Sequence, residues 1–178
     1  MDDFSAWFRR HLMLQNRISW IKSVAVGGRT RGHFKPINSR RFLNRTYEEV
    51  LHWSLRGDLE IDRLAIGVPY EDKGNLSRWR PATTDLRCAG NCWHIPYEIV
   101  RNGAGKFHHP ALYPVELVRR CLKLHGRKGL VLDPFAGSGA TLVAAKELGW
   151  QGIGVEIEPI YADTARKRIA LTCSEDVC

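Results

Sequence analysis

Leu130-Val131-Leu132-Asp133-Pro134-Phe135-Ala136-Gly137-Ser138-Gly139-Ala140-Thr141 is the stretch that decides the fold. A short apolar strand over 129–132 runs into an acid, a glycine-rich turn and then a helix. The helix is predicted over Ala140–Leu148, with Leu142, Ala145 and Leu148 on one side and Gly149 as its stop. A second apolar strand follows over Gly152–Ile157, and a second helix over Ile160–Ile169 with Tyr161, Ala165 and Ile169 four apart. Upstream, Val115–Leu124 places Val118, Cys121 and Leu122 on one helical face, ended by Gly126. Strand, helix, strand, helix is a unit of a doubly wound parallel sheet, so the expected class is α/β and Rossmann-like.

In such sheets ligands bind where a strand's carboxyl end turns into a helix. Gly137 and Gly139 let the backbone bend sharply and approach a ligand closely. A dinucleotide fingerprint needs a third glycine, and position 142 is Leu. Asp133 at the mouth would repel a pyrophosphate but attract an ammonium group. Glu156, at the end of the next strand, can accept hydrogen bonds from ribose hydroxyls. The two acids suit a nucleoside with an amino-acid tail and no phosphates, and S-adenosylmethionine meets that description. A nicotinamide-dependent oxidoreductase is correspondingly disfavoured. A glycine turn alone more often just links strand to helix; strand, acid, double glycine, helix, strand and acid in order point to a site.

The N-terminal part differs. Phe4, Trp7, Phe8 and Leu12 predict a short amphipathic helix, Arg17–Val26 a strand closed by Gly27-Gly28, 29–45 a loop, and Thr46–Leu55 another strand. The 178 residues carry a formal charge of +8, and ten of the 27 basic residues lie between Arg9 and Arg45 with no acid among them. Such a block attracts a polyanion, nucleic acid above all, although a solvated basic face is the plainer alternative. Arg29, Arg31, Lys35, Arg40 and Arg41 are its candidate DNA contacts. Residues 56–106 are irregular and mix Tyr70, Trp79, Trp93 and Tyr97 with Arg78, Arg80 and Arg87, three further candidates. Those aromatics either stack on bases or pin a long loop to the core.

Five cysteines, an odd number, argue against a disulfide framework. Cys88 and Cys92 with His94 lack the second ligand pair of a zinc site, so no metal is assigned, and thiols packed in or near the core are expected. No apolar run reaches membrane-spanning length and the start Met1-Asp2-Asp3 is unlike a signal peptide, so the cytoplasm is the default location.

Asp133–Thr141 closely resembles the cofactor motif of DNA methyltransferases that modify the exocyclic amino group of adenine or cytosine, with Ala140 where that motif has a first Thr. Ile153–Glu156, Tyr161 and Arg168-Ile169 are similar to the family's next segment. His109-Pro110-Ala111-Leu112-Tyr113-Pro114 is similar to the segment that helps enclose the cofactor. Arg41–Asn44, Asn91-x-Trp93 and Ile95–Glu98 also resemble adenine-specific members. The resemblance covers nearly the whole chain, read as one methyltransferase domain with parts 1–55, 56–106 and 107–178, in the permuted β-class order.

The resemblance implies S-adenosylmethionine as cofactor. It implies Asp133, Pro134, Phe135, Gly137, Ser138, Gly139, Thr141, Glu156, His109 and Pro110 as cofactor contacts, double-stranded DNA as partner and adenine as the favoured target. It also implies a catalytic segment of Asp, Asn or Ser, two prolines and an aromatic. The chain has no Pro-Pro, and Pro69-Tyr70 and Pro96-Tyr97 are the nearest approaches. No catalytic residue is therefore assigned. The sheet is expected to be incomplete at its N-terminus, with a second chain supplying the segment or a homodimer forming. A non-catalytic binder of cofactor or DNA is the alternative reading.

Overall fold

The computed structural model describes residues 2–32, 38–74, 84–96 and 113–173. The chain divides into two compact units, Met1–His94 and Ile95–Cys178.

The first unit opens with α1 (Asp2–Phe8) and is built around β1 (Met13–Ile21). β1 is the middle of a three-stranded sheet, antiparallel to β4 (Tyr47–Ser54) and parallel to β7 (Cys92–His94). The period-two alternation of a strand turns Ile18 and Trp20 inward, and Trp20 lies in register with Trp93. Trp93 is 2% exposed and its indole Nε1 donates to the Gly90 carbonyl at 2.9 Å, so this tryptophan pins its loop to the core. Its strand neighbours Cys92 and His94 consequently point outward. Among the described cysteines, Cys88, Cys92 and Cys173 are exposed, which corrects the expectation of thiols in or near the core for these three, whereas Cys121 on the later helix is half-buried. No cluster of metal-ligating side chains occurs among the described residues.

Two N-terminal expectations need correction. The strand predicted over Arg17–Val26 is two strands: β1 begins at Met13, and the chain bends at Lys22 before β2 (Ser23–Val26). The predicted loop at 29–45 begins with a strand, β3 (Arg29–Gly32), antiparallel to β2 through the two-residue turn Gly27-Gly28. Both glycines have positive φ, 56° and 73°, which the mirror-image hairpin turn requires and side chains resist. The bend is fixed by a close approach, since a methyl group on Gly32 would lie 2.3 Å from the Lys22 carbonyl oxygen. Short β5 (Val68–Pro69) and β6 (Leu86–Arg87) pair antiparallel, so Pro69-Tyr70 leaves a small structural ladder.

The second unit follows the predicted order. α2 (Val115–Leu124) precedes β8 (Leu130–Asp133), α3 (Ala140–Glu147), β9 (Gln151–Gly154) and α4 (Pro159–Leu171). β8 and β9 are parallel, with Asp133 opposite Gly154. Strand β9 is shorter than predicted, although Val155 N–H still donates to the Asp133 carbonyl and Ala136 N–H to the Val155 carbonyl. Val115, Leu122, Ala140, Val143, Ala144, Ala145 and Leu148 form the core, with Tyr113, Val118, Val131, Trp150 and Ile169 packed against it. Glycines on β9 let α3 lie close to the sheet: Leu142 sits over Gly152 and Gly154, where a methyl group would come within 2.9 and 2.6 Å of it. Arg119 ties α2 to α3 by donating to Glu116 on its own helix and to Glu147.

Candidate cofactor site

The site is the turn between β8 and α3. Asp133 ends its strand half-buried, and each carboxylate oxygen is held: Oδ1 accepts the Phe135 N–H at 3.0 Å and Oδ2 the Tyr113 hydroxyl at 3.1 Å. The Tyr113 hydroxyl also lies 2.8 Å from the Thr141 hydroxyl on α3. Burial, chiefly, pushes the Tyr113 phenol up, and the Asp133 charge adds to that. Tyr113 thus stays a neutral donor to Asp133.

Glu156 lies two residues beyond β9, across the turn. Its Oε2 accepts the Gly137 N–H at 2.7 Å and its Oε1 the Glu158 N–H at 3.0 Å. A carboxylate has about four lone-pair positions. Both acids are therefore fixed by protein donors yet keep capacity for a ligand's. Carboxylates at the ends of neighbouring parallel strands, separated by a glycine-containing turn, form an acceptor set suited to one cation and one pair of hydroxyls.

The glycines here answer to packing as well as to conformation. Gly137 and Gly139 have φ of 53° and 82°. A methyl group on Gly139 would lie 2.8 Å from Ala165 Cβ and 3.1 Å from its Cα, so the turn sits directly on α4. Ser138, 2% exposed, is turned inward: Arg168 Nη1 donates to both its hydroxyl and its carbonyl at 2.8 Å. Pro134 and Phe135 point outward, Phe135 at 81% exposure. The structure thus gathers Asp133, Gly137, Ser138, Gly139, Thr141 and Glu156 through direct hydrogen bonds and packing. His109 and Pro110 lie outside the described residues.

Sequence reasoning had not given roles to Tyr113 and Arg168. The signal for Tyr113 is a hydroxyl on an aromatic beside Pro114, before a helix that packs on α3. Arg168 falls on the same helical face as Tyr161 and Ala165, but a cation in that row does not announce its partner, and the fold brings it under Ser138.

A family model described as DNA methylase matches residues 3–167. The chain belongs to this DNA methylase family. Among its relatives, the type II methyltransferase M1.MboII of Moraxella bovis is 29% identical over 171 residues, covering 86% of this chain and 62% of the relative. The type II methyltransferase M2.DpnII of Streptococcus pneumoniae is 44% identical over 71 residues, covering 39% and 26%. The chain therefore spans less than two thirds of the length of either relative.

Solved methylases share the α/β fold. The M1.HpyAVI–SAM complex superposes with a TM-score of 0.59 at 24% identity, over 96% of this chain and 69% of that one. TTHA0409, a putative DNA modification methylase from Thermus thermophilus complexed with S-adenosyl-L-methionine, gives 0.58 at 25% identity, over 95% and 58%. The cytosine-N4-specific PvuII DNA methyltransferase gives 0.66 at 17% identity, over 93% and 56%.

The candidate DNA contacts lie on other elements than the turn. Arg29 and Arg31 are on exposed β3, Arg40 and Arg41 in an exposed loop, and Arg87 on β6. Lys35, Arg78 and Arg80 lie outside the described residues, as do Trp79 and Tyr97. Among the described residues no helix is long and apolar enough to cross a membrane.

Proposed function

We propose that this chain is the S-adenosylmethionine-binding part of a site-specific DNA methyltransferase that modifies the exocyclic amino group of adenine. One observation carries the reading: Asp133 and Glu156 stand on either side of the glycine turn with each carboxylate oxygen held by a protein donor. Asp133 would take the ammonium of the methionine tail, and Glu156 the ribose hydroxyls. Gly137 and Gly139 present bare backbone, and the Ser138 side chain between them is turned inward. When bound, the cofactor supplies a methyl group activated on a sulfonium. Tyr113 orients the Asp133 carboxylate and Arg168 fixes the turn, so the protein dipoles are set before ligand arrives. The solved complex of TTHA0409 with S-adenosyl-L-methionine supports the choice of cofactor.

The double-stranded DNA partner rests on family membership and on the basic block 9–45, and the preference for adenine on the stretch Asn91–Glu98. Cytosine is the alternative target. We further propose that the acid or amide, Pro-Pro and aromatic segment that holds the target amino group comes from a further polypeptide segment, since these 178 residues contain no consecutive prolines. Positioned polar groups at a reacting atom are worth roughly 10²–10³ in rate. The purified chain should therefore bind the cofactor but transfer methyl groups to DNA weakly or not at all. Radiolabelled donor and duplex DNA test this. Robust methylation by the chain alone would overturn the missing-segment part, and calorimetry showing no preference for S-adenosylmethionine over NAD would overturn the cofactor part.

A further inference from the structure

The β2–β3 hairpin is a surface feature that the cofactor site does not use. Its register places Val24 opposite Arg31 and Val26 opposite Arg29. Directly paired residues share a face, so both arginines project from one side of a two-stranded ribbon, roughly 7 Å apart along the strand. The tip is bare: at neither Gly27 nor Gly28 would a side chain meet anything within 4 Å. All of β3 is exposed.

The neighbouring cations are engaged. Lys22 pairs with Glu48 at 2.6 Å, Arg17 with Glu49 at 3.7 Å, and Arg45 lies over the Tyr47 ring. Arg29 and Arg31 make no ion pair among the described residues. Arg40 and Arg41 are also exposed, but in a loop without a repeating geometry to fix their spacing.

We infer that the β2–β3 hairpin is a DNA-contacting arm in which Arg29 and Arg31 each neutralise a backbone phosphate of the duplex. The inference rests on the DNA-methylating reading and names the element that meets the substrate. A two-stranded ribbon is narrow enough for the major groove, about 12 Å wide. A glycine tip removes the side chains that would block its entry. Fixed spacing on one face distinguishes such an arm from a diffuse basic surface.

The test measures binding of the full chain to a mixed-sequence duplex of about twenty base pairs across a range of salt concentrations. Each phosphate contact contributes ~0.9 to the slope of log affinity against log salt. The variant Arg29→Gln/Arg31→Gln should lower that slope by about 1.8. Arg29→Lys/Arg31→Lys should retain it. Arg56→Gln/Arg166→Gln removes the same charge from arginines already paired with Asp58 and Asp163, and should leave the slope unchanged. An unchanged slope in the hairpin glutamine variant, an equal loss in the Arg56/Arg166 control, or a loss in the lysine variant would each overturn the arm while leaving DNA binding standing. Absence of salt-dependent binding by the unaltered chain would overturn the DNA reading and the arm with it.

Discussion

Two of the described turns carry paired glycines at positive φ, and they use them for opposite ends. At Gly27-Gly28 the backbone is free, with open space beyond each Cα and unpaired arginines beside it on the described surface. At Gly137 and Gly139 the backbone is enclosed, with α4 against Gly139, Glu156 on the Gly137 N–H and Arg168 on Ser138. The first turn needs glycine only for handedness, whereas the second needs it for handedness and for room. An enclosed turn with fixed carboxylates suits a small ligand whose position must be exact to within an ångström. An open ribbon suits a polymer that is met by charge.

The sharpest break of the comparison is a methyl group at each turn. Gly139→Ala adds left-handed strain of ~1–2 kcal/mol to overpacking against Ala165 of ~1–3 kcal/mol. Denaturant unfolding should show a loss of about 2–5 kcal/mol from the two together. Gly28→Ala carries the strain alone and should lose about 1–2 kcal/mol. Equal losses would mean that the close approach of α4 does not constrain the turn.

Next in size is Tyr113→Phe, which keeps the ring and removes the hydroxyl between Asp133 and Thr141. Leaving buried polar groups without a partner costs ~1–3 kcal/mol. Unfolding should show a loss in that range, with S-adenosylmethionine affinity falling as Asp133 loosens. Undiminished affinity would show that the Phe135 N–H alone orients the carboxylate. The same substitution at Tyr47, beside Arg45 in the first unit, should leave cofactor affinity untouched.

The smallest effect concerns pH. Burial alone pushes the Glu116 carboxyl up, but hydrogen bonds from Arg120 and Arg119 outweigh it and the net value lies below the ordinary 4.5. A depressed folded value stabilises the protein above the unfolded value, and that contribution is lost as pH falls through the folded value. Stability should therefore drop on acidification below about 4.5 more in the unaltered chain than in Glu116→Gln. Because the pair is partly exposed, the difference should be small and should shrink in salt. Identical acid profiles would remove Glu116 from the link between α2 and α3.

The second unit was the more legible in sequence, for a physical reason. Helical periodicity at Val115–Leu124 and Ala140–Leu148, glycine stops and an acid ahead of a glycine turn are local signals, and the fold keeps them local. The first unit hid its hairpin because Arg29-Thr30-Arg31 has no apolar alternation; a run of exposed polar residues reads as loop even when Gly27-Gly28 pairs it to Val24 and Val26. The exposure of Cys92 follows from Trp93 taking the inward position of β7, in register with Trp20. Tyr113 and Arg168 became visible only through contacts 20 and 30 residues away in sequence.

Calorimetric titration with S-adenosylmethionine of the unaltered chain and of Asp133→Asn/Glu156→Gln tests the central claim most directly. Charge-assisted hydrogen bonds contribute roughly 1.5–3 kcal/mol each, so the unaltered chain should bind saturably at one site and the double variant at least ~100-fold more weakly. Equal affinity in the two proteins would contradict the account.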